Sequence, residues 1–141
     1  MLEVKLKLLT FVALLTIATS HLKAETLEYS CMDTWRGSLS HFPSKPDTAE
    51  IQDVSKYQPK VFSFADISSN EINGSKDQWL ALDCNRQIND QRDLLDCSSG
   101  DREYLLHFDI LTGTYAEWLL NSGVDWSIAI MSRGKCKKID S

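Results

Sequence analysis

Short segments in which apolar and polar residues alternate recur along this chain, and they limit the folds that it can adopt. The clearest of them are Val61–Ile67, Glu103–Leu111 and Asp125–Met131. In the first segment, Phe62 and Phe64 share one face and the residues between them take the other. A period of two residues gives a β-strand one apolar face, whereas it scatters the same residues around an α-helix. The pattern therefore predicts a mainly β fold.

Turn-forming residues separate these segments at short intervals. Asn73-Gly74 suits a tight hairpin turn, and Thr112-Gly113 and Asn121–Gly123 are further turn signals. Leu27–Trp35 and Gln78–Cys84 add two predicted strands. Consecutive strands joined by short turns pair antiparallel. The sequence therefore predicts a small antiparallel meander that closes as a barrel or packs as a sandwich.

Two segments also fit a helix, and the prediction allows at most one short helix. Asp47 and Glu50 have the D-x-x-E spacing of a helix start, which predicts one or two helical turns over Thr48–Val54. Thr114–Leu120 is predicted as a strand, but a helix over Tyr115–Ser122 that ends at Gly123 is the competing interpretation.

The chain has four cysteines, all beyond its first 24 residues: Cys31, Cys84, Cys97 and Cys136. An even number in an oxidising compartment indicates two disulfides, and three pairings are possible. We favour Cys84–Cys97, across a local hairpin with its tip at Asn85–Asp93, and Cys31–Cys136, between the terminal strands. Gly134, just before the last cysteine, indicates a bulge or a close approach. A zinc site is the alternative, but no C-x-x-C pair is present.

The first residues of the chain predict a cleavable signal peptide. Leu8–Ala18 is an uncharged run of eleven residues that follows Lys5 and Lys7. As a helix it covers about 16 Å, whereas a bilayer core is about 30 Å thick. A signal-peptide core therefore fits better than a membrane anchor. Cleavage fits after Ser20 or after Ala24, and we favour Ala24. The expected location is periplasmic or secreted.

Beyond the leader, the chain has the length of one ordinary domain and an acidic composition. We assign 1–24 to the signal peptide and 25–141 to a single β domain without a membrane span. The domain carries 12 Lys and Arg against 19 Asp and Glu, a formal net charge of −7. An acidic surface repels phosphate backbones, so nucleic acid is disfavoured as a partner. An exported protein or a small apolar ligand is expected instead.

Few side chains suggest catalysis or metal binding. His107 and Asp109 lie two residues apart on one predicted strand face, about 7 Å along the strand, where a solvated face is expected. Asp90, Asp93 and Asp96 recur at every third position but lack the D-x-D-x-D-G pattern of a calcium loop. The sequence therefore predicts no catalytic residue, no metal site and no cofactor.

Large aromatic side chains are the remaining candidates for a site. Four tryptophans are expected to pack in the core, and the alternatives are a ligand cavity or a protein interface: Trp35, Trp79, Trp118 and Trp126. Asn73-Gly74-Ser75 matches the N-glycosylation sequon, which matters only in a eukaryotic secretory pathway.

Three short motifs carry a resemblance to known exported proteins. They are Tyr29-x-Cys31, Phe-Asp-x-x-Thr-Gly-x-Tyr at Phe108–Tyr115, and Gly-Lys-Cys at Gly134–Cys136. The chain thereby resembles small periplasmic β proteins of Gram-negative bacteria, and its plan is similar to that of the bacterial inhibitors of c-type lysozyme, which are small β-barrels. The inhibitory loop of that family has a Ser-Gly-x-Arg/Lys-Tyr form. Ser99–Tyr104 departs from it by an insertion, so no functional residue is transferred.

These observations favour a non-enzymatic, exported binding or interaction module. The alternatives are a hydrolase-type enzyme with a dispersed site and an envelope protein with a structural or stress role.

Overall fold

A computed structural model describes residues 25–67 and 71–140. The predicted signal peptide, 1–24, lies outside the described residues. Nine strands and one 3₁₀ turn, at Val54–Lys56, make up the described part. The strands are β1 (Leu27–Phe42), β2 (Lys45–Ile51), β3 (Lys60–Ala65), β4 (Glu71–Lys76), β5 (Leu80–Asn89), β6 (Arg92–Ser98), β7 (Tyr104–Asp109), β8 (Thr114–Ser122) and β9 (Ser127–Lys138). Within 25–67 and 71–140, no helix is long and apolar enough to cross a membrane.

All neighbouring strands are antiparallel, and the sheet closes on itself. The order is β2-β1-β3-β4-β5-β6-β7-β8-β9, and β1 also pairs with β9. The first part of the long strand β1 pairs with β3, and its last part, from Gly37, pairs with β2. Eight strands thus form a closed ring, and β2 lies beside it as a ninth. The predicted antiparallel meander, mainly β and closed, is confirmed.

The interior of the ring is filled by aromatic and aliphatic side chains. Phe62 and Phe64, which share a face in the sequence pattern, are both fully buried. The rings of Tyr29 and Phe108 are 4.7 Å apart, and those of Phe64 and Phe108 are 5.1 Å apart. Tilted aromatic pairs at these separations are favourable beyond the area that they bury. The strand alternation predicted from the sequence therefore corresponds to the inside and the outside of the ring.

Two disulfides link strands that are neighbours in the ring. Cys31 on β1 bonds to Cys136 on β9, and Cys84 on β5 bonds to Cys97 on β6. These are the two pairs that the sequence analysis favoured. In each pair the residues lie directly opposite one another in the strand register. The first disulfide therefore fixes the closure between the first and the last strand.

The prediction of a turn at Asn73-Gly74 is wrong, because both residues lie inside β4. The turn follows at Asp77 and Gln78, which both have positive φ. A Cβ atom at position 74 would lie 2.9 Å from the sulfur of Cys84 and 3.2 Å from the ring of Phe64. Glycine occupies this position because it leaves room for the disulfide inside the ring.

Both helical interpretations are also wrong. Thr48–Val54 is extended as far as the end of β2, and the 3₁₀ turn begins only after Asp53, whose carboxylate accepts the N–H of Ser55. Tyr115–Ser122 lies in β8. Pairing of these segments along a neighbouring strand outweighs short helices, since a helical turn is costly to nucleate.

The hairpin between the Cys84–Cys97 partners is longer than predicted. Its tip is Asp90 and Gln91 only, whereas the sequence predicted a tip over Asn85–Asp93. The polar side chains of Asn85 and Gln87 are exposed. They lie on the outer face of β5, where polarity is compatible with a strand.

Gly134 faces the inside of the ring, opposite a bulge in β1 between Asp33 and Trp35. A Cβ atom on this residue would overlap the carbonyl oxygen of Met32 and would lie 2.7 Å from the ring of Tyr115. The predicted bulge or close approach at Gly134 is confirmed.

Because Gly134 lies so close to its neighbours, a methyl group added there should lower the stability more than a methyl group added at an open glycine. Gly134→Ala forces backbone displacement and is expected to lower the free energy of unfolding by about 3 kcal/mol or more. Gly100→Ala is the matched control, because a Cβ atom there meets nothing within 4 Å. Urea denaturation followed by circular dichroism measures both. Equal stability of the two variants would contradict the described closure.

The two disulfides are expected to contribute unequally. Their sequence separations are 105 for Cys31–Cys136 and 13 for Cys84–Cys97. On the chain-entropy model the longer loop contributes about 5 kcal/mol and the shorter about 3 kcal/mol. The double Cys31→Ser/Cys136→Ser variant should therefore melt at a lower temperature than Cys84→Ser/Cys97→Ser, as calorimetry can measure. If Cys84→Ser/Cys97→Ser melts at the lower temperature instead, closure of the ring by Cys31–Cys136 is not the larger stabilising effect.

Candidate functional site

A buried ionic cluster lies inside the ring and is built around Lys60, the first residue of β3. The ammonium group donates to Asp33 Oδ1 at 2.7 Å and to Ser132 Oγ at 2.9 Å, and it also donates to Glu117 Oε1. The side chains of Lys60, Asp33 and Glu117 are 9 %, 1 % and 6 % exposed. An ion pair buried to this degree is costly unless its remaining hydrogen bonds are made.

Glu117 on β8 makes those remaining bonds. Lys76, at the end of β4, donates to Oε2 at 3.1 Å, and the hydroxyl of Tyr104 donates to the same oxygen. Ser132 on β9 donates to Oε1 at 2.6 Å. Each carboxylate oxygen of Glu117 therefore receives at least two donors, and they come from different strands.

The cluster continues through Asp33 towards β2. The hydroxyl of Tyr115 donates to Asp33, and Arg36 Nη1 lies 3.5 Å from its other carboxylate oxygen. Arg36 Nε donates to Gln52 at 2.8 Å, and the guanidinium group lies 4.3 Å from the ring centre of Tyr57. One connected network thus joins the ring to the segment that follows β2.

Burial and charge set the protonation states in this cluster. Burial alone would raise the pKa of the Glu117 carboxyl, but the charges of Lys76 and Lys60 and the hydrogen bonds from Lys60 and Ser132 lower that pKa to about 2. Burial raises the pKa of Tyr104, and the neighbouring Glu117 raises it further. Glu117 is therefore a carboxylate, and the phenol beside it remains a hydrogen-bond donor.

The cluster is closed to substrates. Lys60 and Ser132 are placed like a base and a nucleophile, but Ser132 is 3 % exposed and its hydroxyl hydrogen points to Glu117. In the part of the chain that the structure describes, every buried polar side-chain atom has a hydrogen-bond partner. The arrangement therefore holds the strands in position, and its polar groups are already engaged by hydrogen bonds within the cluster.

A second candidate site lies on the outside of β7, β8, β9, β1 and β2. Residues that are directly opposite one another across these strands form two apolar rows. One row is Leu105, Trp118, Met131, Gly37 and Ile51, and the next is Leu120, Ala129, Leu39 and Ala49. We call the six large side chains of these rows the apolar face: Leu39, Ile51, Leu105, Trp118, Leu120 and Met131. Each of them is between 37 % and 76 % exposed.

Trp35 adds a large aromatic side chain to the apolar face at Gly37, the one position of the first row that has no side chain. A Cβ atom on Gly37 would lie 2.9 Å from the ring of Trp35, so the indole covers the glycine. On the other side of the face, the ring of Trp118 makes an edge contact with His107 at 5.2 Å. The structure thus brings two of the four predicted aromatic candidates to one surface.

The other two tryptophans lie in turns. Trp79 follows the β4–β5 turn and is 74 % exposed, and Trp126 precedes β9 and packs over Gly123. None of the four tryptophans belongs to the buried core, which is built from phenylalanine, tyrosine and aliphatic residues.

The outer side of β9 changes from apolar to basic along the strand. Its successive outward residues are Ala129, Met131, Arg133, Lys135 and Lys137. Arg133 and Lys135 are exposed. The apolar face is therefore continuous with a row of positive charges on the same strand.

An open hollow of about 640 Å³ lies at this basic end. Arg92, from the start of β6, lines it together with Arg133 and Lys135. Thr112 and Thr114 also line it, and their hydroxyl oxygens are 2.8 Å apart. We call this site the basic hollow.

His107 and Asp109 share the outer face of β7, as the sequence predicts, but they do not bond to each other. His107 Nδ1 contacts Asp96, its opposite residue on β6. Asp109 accepts the backbone N–H groups of Leu111 at 2.9 Å and Thr112 at 3.3 Å. Both side chains therefore have local structural partners.

The three regularly spaced aspartates point in different directions. Asp93 faces the ring interior and forms a two-pronged ion pair with Arg86, at 2.7 Å and 2.6 Å. Asp96 is on the outside, where Gln87 donates to it at 2.9 Å, and Asp90 lies at the hairpin tip. Among residues 25–67 and 71–140, no group of three or more His, Cys, Asp or Glu side chains is placed to hold a metal ion.

The segment Ser99–Tyr104 forms a self-contained turn. Ser99 Oγ donates to Asp101 and accepts the backbone N–H of Tyr104 at 3.1 Å. The serine is 6 % exposed. Its side chain is therefore committed to the turn.

Comparison with known protein families, curated proteins and solved structures finds no match for this chain.

Sequence reasoning missed the ionic cluster and named only Trp35 and Trp118 of the apolar face, although β8 carries a signal for both sites. In Thr114–Leu120 the inward positions are Tyr115, Glu117 and Leu119, whereas the outward positions include Trp118 and Leu120. A charged residue on the inside and large apolar residues on the outside reverse the ordinary pattern of a strand. This reversal identifies both the cluster and the apolar face.

Neutralising Glu117 should destabilise the protein strongly. Glu117→Gln removes the carboxylate that the buried Lys60 and the partly buried Lys76 contact, and loss of one member of a buried pair costs about 3–5 kcal/mol of unfolding free energy. Glu103→Gln, at an exposed position, is the control and should change the free energy by less than about 0.5 kcal/mol. Urea denaturation at pH 7 measures both values, and equal values would rule out the cluster as a stabilising element.

The difference in stability between the wild type and Glu117→Gln should also depend on pH. The pKa of Glu117 falls from an ordinary 4.5 to about 2 on folding, so its contribution is present above pH 4.5 and is lost as the pH falls towards 2. The stability difference between the wild type and Glu117→Gln should therefore shrink over this range. A difference that stays constant from pH 6 to about pH 2 would contradict the lowered pKa.

Proposed function

We propose that the protein is a non-enzymatic interaction module of an extracytoplasmic, oxidising compartment, and that a partner protein docks on its apolar face. The predicted leader at Leu8–Ala18 and the two disulfides support this compartment. The finer location that we propose is the periplasm or the exterior of the cell.

The exposed apolar face carries the proposal. Its longer row crosses five strands, a distance of about 19 Å, and the two rows together cover an area on the order of 300 Å². Contiguous apolar patches of about 300–600 Å² on a soluble protein are often functional. Trp118 and Met131 at its centre are residue types that are enriched at protein interfaces.

The position of the face favours a protein over a small apolar ligand. Small-molecule sites are concave and bury most of the ligand surface. The apolar face lies on the outer side of a closed ring, and the ring interior is filled by Phe62, Phe64 and Phe108. A partner protein is able to cover such a surface.

Charge at the margin of the face indicates the chemistry of the partner. Arg133 follows Met131 on the outer side of β9, although the domain carries a net negative charge. Complementary charges steer encounters and set orientation at an interface. We therefore propose a partner whose apolar contact residues are bordered by carboxylates.

The hydrolase alternative has less support from the geometry. The Lys60–Ser132 pair is buried and fully bonded, and His107 is engaged by Asp96 on the outer surface. The binding interpretation uses the exposed surface that these groups leave.

Selection from a random peptide display library against the immobilised protein tests the proposal. We expect peptides that contain apolar residues and bind at least tenfold more weakly to Trp118→Ser/Met131→Ser, since each central anchor typically contributes more than about 1 kcal/mol. Trp79→Ser is the control, because it removes an equally large exposed indole outside the face.

Two results would contradict the proposal. One is that no peptide is enriched over the immobilised control protein. The other is that the selected peptides bind the Trp118→Ser/Met131→Ser variant as tightly as the wild type. Circular dichroism of both variants verifies that the fold is retained.

A further inference from the structure

Some basic side chains of this acidic domain contact carboxylates, and others do not. Those that face the ring interior or its mouth contact carboxylates: Arg36, Lys60, Lys76 and Arg86. Three others contact no carboxylate within the described ranges 25–67 and 71–140: Arg92, Arg133 and Lys135. These three converge on the basic hollow. Three cations without a carboxylate contact therefore line one hollow on the surface of an acidic domain.

Two elements of the fold hold these cations together. Arg133 and Lys135 stand on the same side of β9, two residues and about 7 Å apart. Arg92 reaches the hollow from the β5–β6 hairpin. Thr112 and Thr114 add hydroxyl groups that can donate hydrogen bonds. The hollow thus offers charge and donors to an anion from more than one side.

The acidic residue in the hollow sets one negative charge against the three positive charges of Arg92, Arg133 and Lys135. Asp109 lines the hollow, but its carboxylate accepts two backbone N–H groups, from Leu111 and Thr112. His107, which also lines the hollow, contacts Asp96. The charges of Arg92, Arg133 and Lys135 therefore remain available to a ligand.

We propose that the basic hollow binds carboxylates of an acidic protein segment whose apolar residue contacts Met131. This inference rests on the proposed function and specifies the partner. Along β9, Met131, Arg133 and Lys135 are spaced at two-residue intervals. An extended segment lying along them matches that spacing when it carries an apolar residue followed by acidic residues at the second and fourth positions after it.

Continuity with the apolar face favours an acidic protein segment over an isolated phosphate. Arg133 lies between Met131 and Lys135 on one strand face, so a single extended chain contacts all three. A free phosphate engages only the hollow. Binding of phosphate in preference to a peptide is therefore an outcome that would overturn the proposal.

Titration of the ¹⁵N-labelled protein, from residue 25 onward, with two synthetic peptides tests the inference by NMR. One peptide contains Trp-Thr-Glu-Thr-Glu and the other Trp-Thr-Gln-Thr-Gln, and inorganic phosphate is titrated separately. At low ionic strength we expect the glutamate peptide to bind about tenfold more tightly than the glutamine peptide, with shifts at Arg133 and Lys135. Raising the salt concentration should reduce this preference.

Charge variants provide the matched control. Arg133→Gln/Lys135→Gln should weaken the glutamate peptide about tenfold and leave the glutamine peptide unchanged. Lys45→Gln/Lys56→Gln removes two exposed cations elsewhere and should change neither affinity. All four positions are exposed, so unfolding temperatures should match that of the wild type.

The outcomes separate the two proposals. Equal affinity for both peptides, lost in Trp118→Ser/Met131→Ser, would overturn the basic hollow as an anion site and leave the apolar face as the docking surface. Absence of binding by either peptide, together with an unsuccessful display selection, would overturn both. Phosphate binding tighter than that of the glutamate peptide would overturn the acidic-segment proposal.

Discussion

Pairing of β1 with β9 is the constraint on which the rest of the structure depends. It joins the two ends of the meander over the register from Tyr29 opposite Lys138 to His41 opposite Ser127, and the Cys31–Cys136 disulfide locks it. Because side chains alternate across a strand, this one pairing creates an inner and an outer surface together. Asp33 and Ser132 meet Lys60 on the inside, whereas residues of the apolar face meet on the outside.

The inner and outer surfaces have partly exchanged their usual character in this region. Glu117 points inward and requires Lys60, Lys76 and Tyr104 to offset the loss of water around its charge. Its neighbour Trp118 points outward and is left without apolar cover. A strand that serves only stability would carry the opposite arrangement. We interpret the reversal as the cost of presenting an apolar surface to a partner, with the buried cluster holding that surface in place.

The sequence predicted the fold class and the two disulfide pairs, but not the other long-range contacts. The alternation around Phe62 and Phe64 predicted the ring interior because it depends only on neighbouring residues. Asn73-Gly74 led to a wrong prediction of a turn, because the glycine in this dipeptide serves instead to leave room beside Cys84. The cluster and the apolar face depend on register between strands that are distant in the chain, which a single sequence does not specify.

We propose that a partner protein covers the apolar face in the compartment where this chain works. Oxidative footprinting of Trp118 and Met131, in intact cells that export the protein and in the purified protein, tests it most directly. The account predicts that both residues are oxidised several-fold more slowly in the cells, whereas Trp79, which is 74 % exposed, reacts at the same rate in both. Equal oxidation of Trp118 and Met131 in the two preparations would contradict the account.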